Sequence, residues 1–132
     1  MSSQKAACSC GQLSAFASRD PVRVSACHCI ACQRRSGSAF AAQARFPAAA
    51  VAVSGRSTAY VRVADSGHRL TFYFCSVCGS TVYYTNDSLP GFVGIPLGMF
   101  EDPRRWQPAF SVYERTKHAW IDLPADISHS QT

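Results

Sequence analysis

Seven cysteines in three short clusters constrain this chain more than any other feature of its sequence. The clusters read "CSCG", "CHCIAC" and "CSVCG", and together they contain every cysteine of the chain: Cys8, Cys10, Cys27, Cys29, Cys32, Cys75 and Cys78. An odd number of cysteines and the absence of an export signal argue against a disulfide framework. Clusters with this tight spacing favour metal coordination instead.

The last cluster has the spacing of a metal-binding turn. In a C-x-x-C turn both sulfurs reach one ion, and the following Gly79 allows the backbone a positive φ beside them. Such a turn supplies two ligands, so a closed four-ligand zinc site needs two more from elsewhere in the chain. Two partitions are open: Cys75 and Cys78 join Cys8 and Cys10, or they join two members of the middle cluster.

The first partition uses every thiol, and we prefer it. It leaves Cys27, Cys29 and Cys32 with one coordination position free, which is the pattern of a catalytic zinc, whereas a site with four cysteines is closed and structural. The closed site would hold residue 10 next to residue 75 and contribute directly to folding. We therefore expect two Zn²⁺ ions per chain.

The chemistry of a three-thiolate site favours a sulfur substrate. Three thiolates make zinc a weak Lewis acid that exchanges its fourth ligand for another thiolate, so a thiol substrate is favoured over general hydrolysis. Iron is an alternative metal, because cysteines also hold iron–sulfur clusters. A second structural zinc completed by His28 is another alternative. His28 lies between two ligands, so we expect its ring to point away from the metal, toward a neighbouring group or the solvent.

Short segments of alternating apolar residues predict a mainly β fold. Strands are expected in "VRVSA", "FAAQARF", "TAYVRV", "LTFYF", "TVYY", "FVGIPL", "FSVYE" and "AWIDL", with turn signals between them. One helical turn is expected at "PAAA", where proline can start it. Each cysteine cluster flanks a strand end, which places the metal sites at the margins of the sheets.

Length and charge set the remaining limits. The chain of 132 residues fits a single zinc-binding domain, 1–132, with a core of about 7–123 and flexible termini. No apolar stretch has the length of a secretory signal or a membrane span, so we expect a cytoplasmic protein. The formal charge is +5, but the cations are scattered along the chain. This scatter does not favour a nucleic-acid partner.

The three clusters resemble the glutathione-dependent formaldehyde-activating enzyme family, which also includes centromere protein V. The resemblance lies in "CSCG", in "CHCIACQRRSGSAF" and in "FCSVCGS" followed by "VYY", and it extends over about Ala7 to Leu123. It implies the β-tent fold, in which small antiparallel sheets are joined by a structural zinc site. It also implies the same two ligand sets: Cys8, Cys10, Cys75 and Cys78 for structural zinc, and Cys27, Cys29 and Cys32 for catalytic zinc.

The resemblance further implies carbon–sulfur lyase chemistry on a thiol adduct. In the founding case, glutathione and formaldehyde give S-hydroxymethylglutathione. A thiol such as glutathione would take the open position, and Arg34 or Arg35 would pair with its carboxylate through a bidentate fork. Ser36, Gly37 and Ser38 would line the pocket with hydroxyl and backbone N–H donors. A monomer or a homodimer is compatible with exposed strand edges.

The rival hypothesis is a zinc-stabilised binding module without catalytic activity. In that case the three-cysteine site is vestigial or closed by a side chain, and the basic surface binds an acidic protein or nucleic acid. Two zinc ions, one of them perturbed by millimolar glutathione, would favour the enzyme. Salt-sensitive DNA binding with an inert second zinc would favour the module.

Overall fold

The computed structural model describes residues 3–132, which form eleven strands, one α-helix and three short 3-10 turns. The helix α1 covers Ile30–Ser36. The strands are β1 (Gln4–Ala7), β2 (Ser14–Ala17), β3 (Arg23–Cys27), β4 (Ala41–Pro47), β5 (Val51–Ser54), β6 (Thr58–Val63), β7 (Arg69–Phe74), β8 (Thr81–Asn86), β9 (Phe92–Pro96), β10 (Phe110–Val112) and β11 (Ser128–His129). The prediction of a mainly β fold is confirmed.

The strands form a small sheet and a large sheet. The small sheet has the order β1-β2-β5 and is antiparallel throughout. The large sheet has the order β11-β10-β3-β4-β9-β8-β7-β6. It is antiparallel from β3 to β6, whereas β10 pairs in parallel with β3 and with β11. The parallel pairs were not predicted, because alternation within a strand carries no information about the direction of its neighbour.

The hydrophobic core lies between the two sheets. The large sheet contributes Phe46, Ile95 and Val82, all fully buried, and the small sheet contributes Ala15 and other small residues. Side chains alternate between the two faces of a strand. The face that packs on the small sheet is therefore apolar, and the residues between these core positions point to the opposite face.

That opposite face is polar and carries one of the cysteine clusters. Strand β3 directs Arg23, Ser25 and Cys27 to it, and the neighbouring strand β4 adds Gln43 and Arg45. All five residues line one large cavity, which is described below. Because side chains alternate along the strands, one face of the large sheet packs in the hydrophobic core and the other face lines the cavity.

Seven of the eight predicted strand segments contain a strand, and the predicted turn at "PAAA" is a 3-10 turn over Ala48–Ala50. The predicted strand "AWIDL" is wrong. Trp120 is 73% exposed and the chain turns there, because the Ile121 N–H bonds to the His118 carbonyl. Helix α1 was not predicted, since its seven residues are too few for a periodic pattern.

The ends of the described chain take part in the sheets. Strand β1 begins at Gln4, and β11 contains Ser128 and His129, both beyond the predicted core of 7–123. The flexibility predicted for both termini stays a prediction, and the first two residues, Met1 and Ser2, lie outside the described residues. The domain boundaries stay a prediction. Among residues 3–132 there is no helix with the length and apolar character that crossing a membrane requires.

Candidate metal centres

The four-cysteine cluster joins the two sheets. Cys8 and Cys10 follow β1 of the small sheet, while Cys75 and Cys78 follow β7 of the large sheet. All four sulfurs lie within 4.8 Å of one another. The Cys8–Cys10 and Cys10–Cys75 sulfur distances are 3.7 and 3.6 Å. Sulfur atoms on a tetrahedral zinc ion are separated by about 3.8 Å, so the spacing fits such an ion.

Hydrogen-bond donors surround the sulfurs of the four-cysteine cluster. The Gln12 side-chain amide donates to Cys75 Sγ at 3.0 Å, and the Leu13 N–H donates to Cys8 Sγ at 3.3 Å. The backbone N–H of Ser80 lowers the pKa of Cys78 to about 5. Donors directed at sulfur stabilise thiolates, the form that binds metal. The donor set therefore fits a metal ion.

The C-x-x-C turn depends on Gly79, as the sequence predicted. The φ of Gly79 is +82°, in the left-handed region that glycine enters without strain. Its N–H bonds to the Cys75 carbonyl at 2.7 Å and closes the turn. This closure holds the two sulfurs of the turn on the same side.

The three-cysteine cluster lies where β3 passes into α1. Cys27 ends β3, Cys29 is the N-cap residue of α1, and Cys32 is in its first turn. The Cys29 sulfur accepts the N–H of Cys32 at 3.3 Å, which is the bond that an N-cap side chain makes. The three sulfurs lie within 4.8 Å of one another. The hydrogen bond that caps the start of helix α1 therefore also positions the Cys29 sulfur.

The electrostatics of the three-cysteine cluster fit a cation. Hydrogen bonds from Cys27 and Cys32 lower the pKa of Cys29 to about 2, and hydrogen bonding to Cys29 raises the pKa of Cys27 above its ordinary value. Cys29 therefore ionises easily. Cys27 and Cys32 resist ionisation, because like charges in one site repel each other. Full ionisation of all three thiols requires a positive ion beside them.

Within residues 3–132, no histidine, carboxylate or further cysteine completes the three-cysteine cluster. His28, between two of its members, is fully buried and points elsewhere: its Nε2 lies 3.0 Å from the Ser111 hydroxyl. The expectation that the ring turns away from the metal is confirmed, although it faces a buried hydroxyl and not the solvent. Ser111 in turn donates to Glu114, whose carboxylate pairs with His129 at 2.6 Å. This network anchors β10 and β11 to the cluster.

A cavity of about 990 Å³ opens beside the three-cysteine cluster and covers the polar face of the large sheet. Its wall contains all three cysteines and four aromatic residues, Phe72, Tyr84, Phe92 and Tyr113. Asp65 is the one acidic side chain among the described residues that line it. Against that single acid stand five arginines: Arg23, Arg35, Arg45, Arg62 and Arg115. The cavity is therefore built for a negatively charged ligand.

Two of the arginines lie close to the three-cysteine cluster. Arg35 and Arg62 both stand over the ring of Phe72, at 5.3 and 5.7 Å from its centroid. Their charges favour the thiolate forms of Cys32 and Cys29 respectively. They can bind an anionic group of a ligand whose reacting atom lies at the cluster.

Tyr84 is the cross-strand neighbour of Gly94, and both residues line the cavity. It pairs with Gly94 across β8 and β9, and a Cβ at Gly94 would fall 2.3 Å from its ring. The phenol makes no hydrogen bond to another described residue, and burial raises its pKa above the ordinary value. Tyr84 therefore offers a neutral hydroxyl donor to the cavity.

The predicted substrate-binding residues divide into two groups. Arg35 lines the cavity, whereas Arg34 is exposed outside it. The other three predicted residues end helix α1: Ser36 Oγ donates to the Cys32 carbonyl at 2.8 Å, Gly37 is the left-handed C-cap, and Ser38 N–H donates to Ser36. Capping is a sufficient reason for these residues in the sequence. Their contact with a substrate stays a prediction.

Four arginines of the cavity and Tyr84 were not predicted from the sequence. A signal was present: Arg23 and Ser25 have the same parity in β3 as Cys27, so they must share its face. The apolar residues of the alternation predict the strand, and its polar residues indicate which side chains share a face with Cys27. Arg62 and Arg115 come from distant segments, and nothing local to them points to the cysteines.

The comparison with protein families agrees with this geometry. A model of the family described as "Glutathione-dependent formaldehyde-activating enzyme" matches residues 3–116. The chain belongs to this family. Membership supports a glutathione-related, formaldehyde-activating function, and the two cysteine clusters of this family member are able to hold metal ions.

The comparison with solved structures supports the fold. The chain is similar to a Rhodobacter sphaeroides protein of known crystal structure, with a TM-score of 0.59 and 22% sequence identity. The match covers 74% of this chain and 88% of that one. At this identity the likeness concerns the fold alone. No curated protein shows a significant match to the sequence.

Proposed function

We propose that this chain is a zinc-dependent carbon–sulfur lyase that makes and breaks the adduct between a thiol, glutathione by family, and a small aldehyde. In this proposal Cys27, Cys29 and Cys32 hold a catalytic Zn²⁺, and the four-cysteine cluster holds a structural one. One observation carries it: the three-cysteine cluster opens on the cationic cavity without a fourth side-chain ligand among residues 3–132.

Cys27, Cys29 and Cys32 would hold the zinc ion, which would supply the positive charge that favours the thiolate form of a substrate thiol near neutral pH. The surrounding side chains then bind and orient the reactants. Arg35 and Arg62 are placed to pair with carboxylates of the thiol, and the rigid guanidinium fork fixes their orientation. The Tyr84 hydroxyl holds its proton and is available as a hydrogen-bond donor to the carbonyl oxygen.

The reaction needs no redox cofactor. In the forward direction the thiolate sulfur forms a bond to the carbonyl carbon, the carbonyl electron pair moves to oxygen, and that oxygen takes one proton. The reverse reaction breaks the carbon–sulfur bond and returns the proton. A neutral donor beside the oxygen stabilises the charge that develops in either direction.

Cobalt substitution tests the division between the two sites. We expect two Co²⁺ ions per chain, with millimolar glutathione changing the absorption of one ion only. Cys29→Ser should remove that response and leave a folded protein, whereas Cys75→Ser should unfold the domain because structural metal contributes folding free energy. Cys29→Ser and Cys75→Ser variants that both merely unfold would contradict this division.

Exchange spectroscopy tests the activity. Formaldehyde and glutathione combine without a catalyst, so the measurement is the rate of exchange between free and bound ¹³C-formaldehyde at equilibrium. We expect the zinc-loaded protein to accelerate this exchange and Cys29→Ser to abolish the acceleration. Wild-type exchange no faster than in buffer, together with salt-sensitive binding of DNA, would favour the binding module.

A further inference from the structure

The part of the cavity farthest from the cysteines along β3 contains a second cationic group. We call it the arginine floor, defined as Arg23, Ser25, Gln43 and Arg45. In the antiparallel register of β3 and β4, Arg23 lies opposite Arg45 and Ser25 lies opposite Gln43. All four residues line the cavity, on the same face of β3 as Cys27. The floor and the reaction site therefore belong to one cavity.

The charges of the floor have no acidic partner in the part of the chain that the structure describes. The one ion pair found among residues 3–132 joins His129 and Glu114, so neither Arg23 nor Arg45 has a carboxylate within 4.0 Å. Two like charges thus face each other across adjacent strands. Burial and the neighbouring Arg45 lower the pKa of Arg23, which shows that the guanidinium is poorly compensated.

Two buried polar atoms of the floor also lack hydrogen bonds. Arg23 Nε and Gln43 Oε1 are both buried without a partner among the described residues. A buried polar group without a partner is destabilising, so native structures seldom keep one without a reason. Arg23 is also held in place, because its guanidinium lies 4.0 Å from the centroid of the Phe110 ring. A positioned, unsatisfied guanidinium is what an anion-binding site requires.

The floor lies away from the reacting atoms. Cys27 and Arg23 are four positions apart along β3, which corresponds to about 13 Å between their Cα atoms. If one ligand places its acid group on the floor and its carbonyl carbon beside the cysteines, several bonds must separate these two groups. Formaldehyde has one carbon and no charge, so it cannot use the floor.

The carboxylates of glutathione have another cationic pair in the cavity. Glutathione has two carboxylates and one ammonium group, and Arg35 and Arg62 already lie next to the cysteines where the thiol would bind. Arg23 and Arg45 remain as a second cationic pair. The cavity of about 990 Å³ is at the upper end of the range for small-molecule sites, which leaves room for a second reactant larger than formaldehyde.

We propose that the arginine floor binds an acid group of the carbonyl substrate, so that this enzyme prefers aldehydes with a carboxylate or phosphate several bonds from the carbonyl. The proposal rests on the proposed function for its chemistry: the same carbon–sulfur bond forms, and the same single proton goes to the carbonyl oxygen. What it adds is the identity of the second reactant. The acid group takes no part in bond making and supplies binding and orientation.

A series of matched aldehydes tests the preference. The probes are 4-oxobutanoate and 6-oxohexanoate, each paired with its uncharged analogue, butanal and hexanal. Glyoxylate carries its acid too close to the carbonyl to reach the floor, and glyceraldehyde 3-phosphate distinguishes phosphate from carboxylate. We expect kcat/KM with glutathione at least about 10-fold higher for a long oxo acid, or for the phosphate, than for the uncharged aldehyde.

Substitutions locate the preference on the floor. Arg23→Gln and Arg45→Gln should each lower kcat/KM for the preferred acid by about 10-fold or more and leave the rate with formaldehyde within about 2-fold. Arg104→Gln is the matched control, because Arg104 is exposed and does not line the cavity. Thermal unfolding confirms that each variant is folded. Arg23→Gln should be no less stable than the wild type, since it removes an uncompensated charge.

The outcomes separate this inference from the proposed function. Turnover of formaldehyde with equal rates for acidic and uncharged aldehydes would overturn the inference and leave the function standing. Turnover of no carbonyl compound at all would end the proposed function, and the floor is then judged by NMR titration with glutarate. Glutarate binding that Arg23→Gln abolishes would support the anion site. A wild-type protein that does not bind glutarate would overturn it.

Discussion

The contact between Tyr84 and Gly94 gives a sharp prediction about stability. A Cβ at position 94 would lie 2.3 Å from Tyr84 Cζ, 2.4 Å from Cε1 and 2.6 Å from the hydroxyl oxygen. The ring must therefore move, but Phe72 lies on the neighbouring strand with its ring centroid 5.5 Å away. Overpacking of this kind costs about 1–3 kcal/mol, whereas replacing glycine by alanine in a strand returns about 0.5–1 kcal/mol. We expect Gly94→Ala to lower the free energy of unfolding by about 1–2 kcal/mol.

The measurement is urea unfolding of the zinc-loaded protein followed by tryptophan fluorescence. With an m-value of about 2 kcal/mol/M, in the middle of the typical range, the midpoint should fall by roughly 0.5–1 M. In a Tyr84→Ala background the clash is gone, so Gly94→Ala should there be neutral or stabilising. Gly98→Ala is the control, because nothing lies within 4 Å of a Cβ at that position. The reasoning is refuted if Gly94→Ala is as stable as the wild type, or if its cost persists without the Tyr84 ring.

Three further predictions concern the second glycine contact, the structural cluster and pH. Gly55→Ala should destabilise by at least about 2 kcal/mol in urea unfolding, since its φ is +94° and its Cβ would lie 1.8 Å from the Gln12 carbonyl oxygen. Gln12→Ala should weaken metal retention about 10–100-fold in a chelator competition, because Gln12 donates to Cys75 Sγ. Glu114 raises the pKa of His129 from 6.5, while hydrogen bonding to Ser111 and His129 lowers that of Glu114 from 4.5. The stability lost in His129→Gln should therefore be greatest between pH 4.5 and 6.5 and fade on both sides.

Each of these predictions has a result that contradicts it. A Gly55→Ala variant of normal stability would mean that the loop moves freely away from Gln12. Equal metal affinity in Gln12→Ala and the wild type would show that its hydrogen bond to sulfur has no effect. If the difference in the free energy of unfolding between His129→Gln and the wild type does not vary with pH, the charges of the His129–Glu114 pair do not contribute to stability.

The grouping of the cysteines was predictable from the sequence because coordination chemistry limits the ways of dividing them. Seven thiols with a C-x-x-C turn admit few partitions, and the structure has the one that uses them all. The strands were predictable because apolar alternation in segments such as "LTFYF" reports burial on one face. These inferences need only local spacing or a count.

The cavity was not predictable in the same way, because it depends on strand order. Arg23 and Arg45 become neighbours only through the pairing of β3 with β4, and Arg62 reaches the same cavity from the edge strand β6. The role of Ser36 and Gly37 in ending helix α1 was also hidden, since the helix itself is too short for a periodic signal. Residues with a long-range role show no pattern in their own segment.

The sequence separation within the two clusters has a consequence for biosynthesis. The sulfurs of Cys27, Cys29 and Cys32 come from six consecutive residues, whereas the other cluster is incomplete until Cys78 has been translated. At roughly 5–20 residues per second, the 46 residues from Cys32 to Cys78 take about 2–9 s. During that interval the nascent chain displays one complete set of thiolates and only half of the other. A new molecule therefore completes the three-cysteine set beside the cavity before the four-cysteine set that joins the two sheets.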